Sequence, residues 1–346
     1  MAVVARWSNR PNLFRLGGRM VTRTYPFKPL LVAALVCFAS LAAAASAPGA
    51  GTSTSVTAGA SVRQALRFWT PARMRQARPL DALVPRAGGL ARASGAKTDA
   101  GQERGLAADA QARSEFAAVA DPTAAEFRQN GVIFIVLPGG FGVARCSGTS
   151  VNAPNLSVVF TAGHCVNEGN PRHWFNQDWV FVPGYHDGVR PYGVFVARWL
   201  GATAPWVNGA SENADVGAAV VSRNERGQRL GDAVGGDGIA WNLSPHQVFD
   251  VHGYPVESPF DGATQRICSD TPFLGHDLAS FLWPGPLNLA LSCDVTGGAS
   301  GGGWTIHGNV LNSVTNYGYG DDRTTDFGSY FGNAVKALYE QAARVR

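Results

Sequence analysis

Between residues 132 and 315 the chain repeats one pattern: short apolar runs, each closed off by glycine, proline or asparagine. Val132–Leu137, Phe141–Cys146, Ser157–Thr161, Trp179–Val182 and Val194–Trp199 follow one another at short intervals. Val216–Val221, Gln247–Tyr254, Leu287–Ser292 and Val310–Thr315 continue the series. Runs of this length bounded by turn residues read as strands, and their spacing predicts barrels or sandwiches rather than a helical bundle. The 42 glycines fit such a turn-rich β architecture. Only the end differs. From Gly332 to Arg346, Val335, Leu338, Tyr339, Ala342 and Val345 recur every three to four residues, which predicts a closing amphipathic helix.

The region before residue 125 has another character. Arg23 and Lys28 precede Leu30–Ala42, 13 residues that are all apolar or small, followed by Ala45, Ser46 and Ala47. A basic flank, a short apolar core and a small-residue exit describe a secretory leader. The leader is expected to span 1–46, with Met20 an alternative start; cleavage falls near Ala45 or Ala47. The apolar core falls short of the roughly 20 residues of a membrane span, so no stable span remains once the leader is removed. Residues 47–124 then read as a basic, largely disordered pro-segment or linker, in which Val62–Arg78 predicts a basic helix broken at Pro71. Charge segregates along the chain: residues 1–114 carry +12 and the remainder −8, within a total of +4. A basic leader on an acidic domain explains this better than nucleic-acid binding. It also suggests that the pro-segment docks on the acidic domain by charge.

Cys37 lies inside the leader, leaving Cys146, Cys165, Cys268 and Cys293. Four cysteines in an exported chain allow three pairings. Zinc binding competes with disulfides, but no C-x-x-C spacing supports it.

Three positions stand out chemically. Ser300 sits in Gly-Gly-Ala-Ser-Gly-Gly-Gly (297–303), where glycines permit a tight turn and leave backbone N–H groups free beside a nucleophile. The N–H groups of Gly298 and Ser300 would then form an oxyanion hole. His164 follows the strand 157–160 in Thr-Ala-Gly-His-Cys, a rigid setting for a general base. His173, His186, His246, His252, His276 and His307 lack such a setting. Asp215, at the mouth of the apolar strand 216–221, needs a partner if buried, and orienting His164 would supply one. Asp178, Asp187 and Asp232 lie among polar turn residues. The order His, Asp, Ser is one of the known triad orders. It would place His164 and Asp215 on a first barrel and Ser300 on a second.

Thr161-Ala-Gly-His-Cys165, Asp215-Val-Gly-Ala-Ala-Val220 and Cys293-Asp-Val-Thr-Gly-Gly-Ala-Ser300-Gly-Gly together resemble the bacterial trypsin-like serine peptidases, on the glutamyl-endopeptidase side of the chymotrypsin superfamily. Phe181-Val-Pro-Gly-Tyr185 and Gly253-Tyr-Pro255 extend the likeness over roughly residues 130–340. The resemblance implies an all-β double barrel with a C-terminal helix in residues 125–346, the barrels spanning about 125–228 and 229–346. It also implies disulfides Cys146–Cys165 and Cys268–Cys293, and endopeptidase action on proteins or peptides without cofactor or metal. Such a protein is expected to be a monomer outside the cytoplasm, extracellular or periplasmic.

Two departures matter. Ala299 stands where animal members carry an aspartate that pairs with a new N-terminal amine, so any latency has to come from the pro-segment. Gly303 stands where proline is common. The resemblance further implies a specificity pocket walled by Thr315, Asn316, Tyr317 and Gly318, with Asp294 where trypsin-type enzymes hold a pocket carboxylate. Asn316 replaces the histidine of glutamyl endopeptidases, which argues against glutamate preference. A catalytically silent binding or adhesion module on the same fold is the alternative reading.

Overall fold

The computed structural model describes residues 53–58, 61–82, 115–140, 142–175, 177–319 and 324–346. The chain divides into two compact units, 1–47 and 48–346, and every described residue belongs to the second. The expected leader therefore lies outside the described residues. No helix among those residues is long and apolar enough to cross a membrane.

The described chain opens with β1 (Ser53–Thr57), α1 (Val62–Phe68), α2 (Pro71–Gln76) and the two-residue β2 (Arg78–Pro79). The basic helix expected over 62–78 is broken at Pro71 as its sequence suggests, into α1 and α2. Thr70 caps the second, its hydroxyl accepting the Arg73 N–H at 3.3 Å, and Pro71 occupies the first turn, where no backbone donor is needed. A largely disordered 47–124 is corrected for the described residues 53–58, 61–82 and 115–124, which are built into the domain. The reason is apolar: Ala65, Trp69, Met74 and Ala77 are buried, while Arg63, Arg67, Arg73, Arg75 and Arg78 are exposed. Packing of apolar side chains, rather than charge, seats this segment.

After β3 (Ala117–Ala118) come β4 (Asn130–Val136), β5 (Val143–Val151), β6 (Val158–Thr161), β7 (Val180–Pro183), β8 (Phe195–Thr203), α3 (Ala204–Gly209) and β9 (Gly217–Val221). Strands β4 to β9 pair in the order β8-β7-β4-β5-β6-β9, and β8 pairs β9 to close a six-stranded antiparallel barrel. The second half runs α4 (Leu230–Val234), β10 (Gly238–Ile239), β11 (Val248–Gly253), β12 (Arg266–His276), β13 (Leu289–Leu291), β14 (Gly303–Ile306), β15 (Val310–Tyr317), β16 (Asp326–Gly328) and α5 (Asn333–Arg344). Here the order β15-β14-β11-β12-β13-β16 closes through β15–β16 into a second six-stranded barrel. The fold is the chymotrypsin-like double barrel with a C-terminal helix.

Period-2 alternation fills the barrels. In β4, Ile133 and Ile135 enter the first core with Phe181, Phe195 and Leu200. Leu230 and Val234 of α4 join the same core. Phe249, Val251, Leu289, Leu291, Trp304 and Ile306 build the second. Helix α5 turns Val335, Leu338 and Ala342 onto Phe160, Trp199, Val216 and Val220, so the end of the chain clamps the first barrel. Disulfides Cys146–Cys165 and Cys268–Cys293 are both formed.

Candidate active site

His164 sits on a single 3-10 turn, Gly163–Cys165, that ends β6, and Cys165 is bonded to Cys146 on β5. That bond pins the turn to the neighbouring strand. Asp215 ends another 3-10 turn just before β9 and is wholly buried. Because β6 and β9 are neighbours in one ladder, with Thr161 opposite Gly217, the two turns meet. Asp215 Oδ1 accepts the His164 backbone N–H at 2.7 Å, and Oδ2 lies 2.7 Å from His164 Nδ1. A carboxylate bridging backbone and ring in this way fixes both the rotamer and the tautomer of the imidazole, with the proton on Nδ1. The ring packs edge-on to Trp206.

Ser300 comes from the second barrel, at the turn leading into β14. Its own carbonyl accepts the Ser147 N–H at 2.8 Å, and the Ser147 hydroxyl donates to the Gly298 carbonyl at 3.0 Å. Gly301 donates to Thr315 O and Thr315 to Gly302 O, so the loop is stitched to β15 as well. Glycine is required at Gly298, where φ is 98°, and at Gly301, where φ is 81° and a Cβ would stand 2.0 Å from Thr161 Oγ1. With the Gly298 carbonyl held by Ser147, its N–H and that of Ser300 are left without a protein acceptor among the described residues.

One further carboxylate enters the site. Ser300 Oγ donates to Asp81 Oδ2 at 2.7 Å, and Asp81 Oδ1 stands 3.1 Å from His164 Nε2. Asp81 follows β2, which pairs in parallel with β5 as Arg78↔Ala144 and Pro79↔Arg145. Leu80 is buried beside it in the first barrel's core cluster. The single hydroxyl proton of Ser300 is thereby directed at Asp81 rather than at the imidazole. The order across the site is Asp215, His164, Asp81, Ser300.

The residues expected to wall a specificity pocket divide. Thr315, Asn316 and Tyr317 all lie on β15 beside the Ser300 loop. Asn316 is fully buried behind the histidine: its Nδ2 donates to Asp215 O at 2.7 Å, and its Oδ1 accepts the Ser329 N–H. It braces Asp215 from below instead of lining a pocket. Tyr317 stacks on Phe327, its hydroxyl donating to Asp277 at 2.6 Å, while Gly318 is exposed at the strand end. Asp294 turns away and accepts the Phe116 N–H at 2.6 Å. A different buried carboxylate lies here. Asp326, on β16, accepts the Thr315 hydroxyl at 2.8 Å, and burial pushes its pKa up to about 8.

Among the described residues, two clusters carry metal-ligand residue types, Cys146/His164/Cys165 and Cys268/Cys293/Asp294. In both, the cysteines are joined in disulfides, so neither set has a thiolate to offer a zinc ion.

Sequence reasoning missed Asp81. A signal was present, since Asp81 is the only acidic residue among the first 98. Asp326 and Asp277 were also missed, because each is buried by partners remote in sequence.

Among solved structures, the protease Anisep from Arthrobacter nicotinovorans is 36% identical, with a TM-score of 0.57, over 63% of this chain and 96% of that one. The thermostable serine protease AL20 from an extremophilic microorganism is 31% identical, with a TM-score of 0.58, over 64% of this chain and 100% of that one. This chain belongs to the trypsin-like serine protease family of the chymotrypsin superfamily. A Glu endopeptidase at 17% identity and TM-score 0.50 shares the fold. No family model matches the chain, and neither does any curated protein.

Proposed function

We propose that this trypsin-like protease is the latent precursor of an exported serine endopeptidase, with Ser300 as nucleophile and His164 as general base and acid. Asp215 orients the imidazole and balances its charge. The contact that carries the reading is Asp215 on Nδ1 of His164, with Ser300 on the Nε2 side of the same ring.

Once Asp81 leaves, Nε2 can accept the Ser300 proton as Oγ attacks a peptide carbonyl. The imidazolium formed is stabilised by buried Asp215, which stays ionised. The carbonyl oxygen, now an oxyanion, finds the N–H groups of Gly298 and Ser300. His164 then returns its proton to the leaving amine, and water, activated in the same way, releases the acyl group. No cofactor takes part in these steps. Substrates are proteins or peptides, and the leader together with two disulfides supports action outside the cytoplasm.

Latency follows from Asp81. Its carboxylate occupies the Ser300–His164 junction, and its carbon, flanked by two oxygens that share a negative charge and bearing no leaving group, is not open to attack. The test is hydrolysis of a peptide library by folded precursor cleaved between residues 84 and 114. Cleavage that disappears in His164→Ala is expected; absence of cleavage by the processed protein favours a silent binding module on the same fold.

A further inference from the structure

Residues 53–82 consist of a body and an arm, held to the domain in different ways. The arm, Arg78–Ala82, makes the two-residue pairing with β5 and the Asp81 contacts. The body comprises β1, α1 and α2. Strand β1 adds to the edge of β8 in antiparallel register over five pairs, from Ser53↔Thr203 to Thr57↔Trp199. Ala58 N extends the ladder to Arg198 O at 3.0 Å.

The helices cover something the barrel cannot cover itself. In β4, β7, β8 and the residue just before β8, the side chains that alternate with the core, Val132, Phe134, Val180, Val182, Val194 and Val196, point outward and are nevertheless apolar and fully buried. Strands apolar on both faces need a second layer. Here that layer is Ala65, Trp69, Met74 and Ala77. The Trp69 ring lies 5.5 Å from that of Phe134, and its indole N–H donates to Asp178 O at 2.7 Å. Stripping the body from the enzyme would expose a contiguous apolar face of the kind that drives association or aggregation, and would reopen the edge of β8.

We propose that the body remains bound after processing as a small non-covalent subunit, and that activation withdraws only the arm, so that the mature enzyme is a two-chain protein. The chain between Ala82 and Glu115 supplies the place to cut: residues 84–114 are rich in alanine and glycine and include five Lys or Arg. Cutting there frees the C-terminal end of the arm, whose hold is a two-residue ladder, the single apolar side chain of Leu80 and the Asp81 contacts, against five strand pairs and two helices for the body. The body keeps its strand and its tryptophan. Retention of the body is independent of catalysis; withdrawal of the arm rests on the reading of Ser300 as nucleophile.

The experiment places a recognition site for a specific protease between residues 84 and 114 of the full chain, cuts after folding, and follows the N-terminal fragment by gel filtration and intact mass. Expected is co-elution of one fragment per domain through dilution and high salt. Separate elution of the fragment under native conditions overturns the proposal. Trp69→Ala is expected to weaken the cut complex at least about a hundredfold, whereas Asp81→Ala leaves the fragment bound. Should the Trp69→Ala precursor fail to fold, dilution of the cut wild-type complex still measures how tightly the fragment is held: co-elution at nanomolar protein supports the proposal, and separation there overturns it. A fluorophosphonate added to each complex separates the two readings. Fragment retained but Ser300 unreactive in cut Asp81→Ala protein would sink the nucleophile assignment and leave the subunit standing.

Discussion

Replacing Asp81 by alanine in the uncut precursor removes two contacts at once, the 2.7 Å hydrogen bond from Ser300 Oγ and the 3.1 Å ion pair with His164, which forms when Nε2 carries a proton as well as Nδ1. A hydrogen bond to a charged group is worth about 1.5–3 kcal/mol. The Asp81 side chain is 28% exposed, so solvent takes part of that away, and about 3 kcal/mol is a fair sum for the pair. Since 1.4 kcal/mol is tenfold, the open state of the site should rise by about two orders of magnitude. The assay is the second-order rate of fluorophosphonate labelling of the intact precursor, wild type against Asp81→Ala. A rate increase near a hundredfold is expected, and because the same contacts stabilise the folded precursor its melting temperature should fall by several degrees. Equal labelling rates would refute the reasoning, since they would mean that the carboxylate does not control access to Ser300.

Three further outcomes follow from the same geometry. Asp215→Asn keeps the shape of the site but not the charge or the tautomer; kcat of the processed enzyme should fall about 10⁴-fold with KM nearly unchanged. Cys165→Ser opens the Cys146–Cys165 bridge, whose sequence separation is 19. The loss is about 3 kcal/mol, so the melting temperature should drop by about 6–12 °C. Asp326 titrates near 8 when folded, against an ordinary value near 3.9. Between those values the folded state holds the extra proton, so this group's share of stability is complete below the lower pKa and is lost as pH rises toward 8. Asp326→Asn, still able to accept from Thr315, should therefore raise the melting temperature more at pH 8 than at pH 4; an equal change at both would show that the carboxyl is not buried as described.

The barrels were legible because their strands are locally apolar. Val132–Leu137, Val216–Val221 and Val310–Thr315 need no distant context to read as β structure, and they overlap β4, β9 and β15 with all but an end residue of the first two inside the strand. Strand β12 was not legible, since Pro272, Ser269 and Asp270 break its pattern and its pairing with β11 carries an irregularity near Phe249. Strand β14 emerges straight from glycines, and β16 is three residues long. Within the site, His164, Asp215 and Ser300 are marked by their own neighbours along the chain, and the ladder from β6 to β9 brings the first two together. Asp81 has no such marking: its partner Ser300 lies 219 residues away. Asp294 shows the converse, a residue whose position suggested a pocket but whose carboxylate is engaged by the Phe116 N–H. The double apolar face of β4 was readable as a strand, but not as a seat for Trp69 and Met74.

The central claim is that Ser300, served by His164, is the nucleophile. Its most direct test is mass-spectrometric mapping of the fluorophosphonate adduct on processed protein alongside peptide hydrolysis. The prediction is a single adduct on Ser300, with labelling and hydrolysis both lost in Ser300→Ala. An adduct elsewhere, or hydrolysis that survives Ser300→Ala, would contradict it.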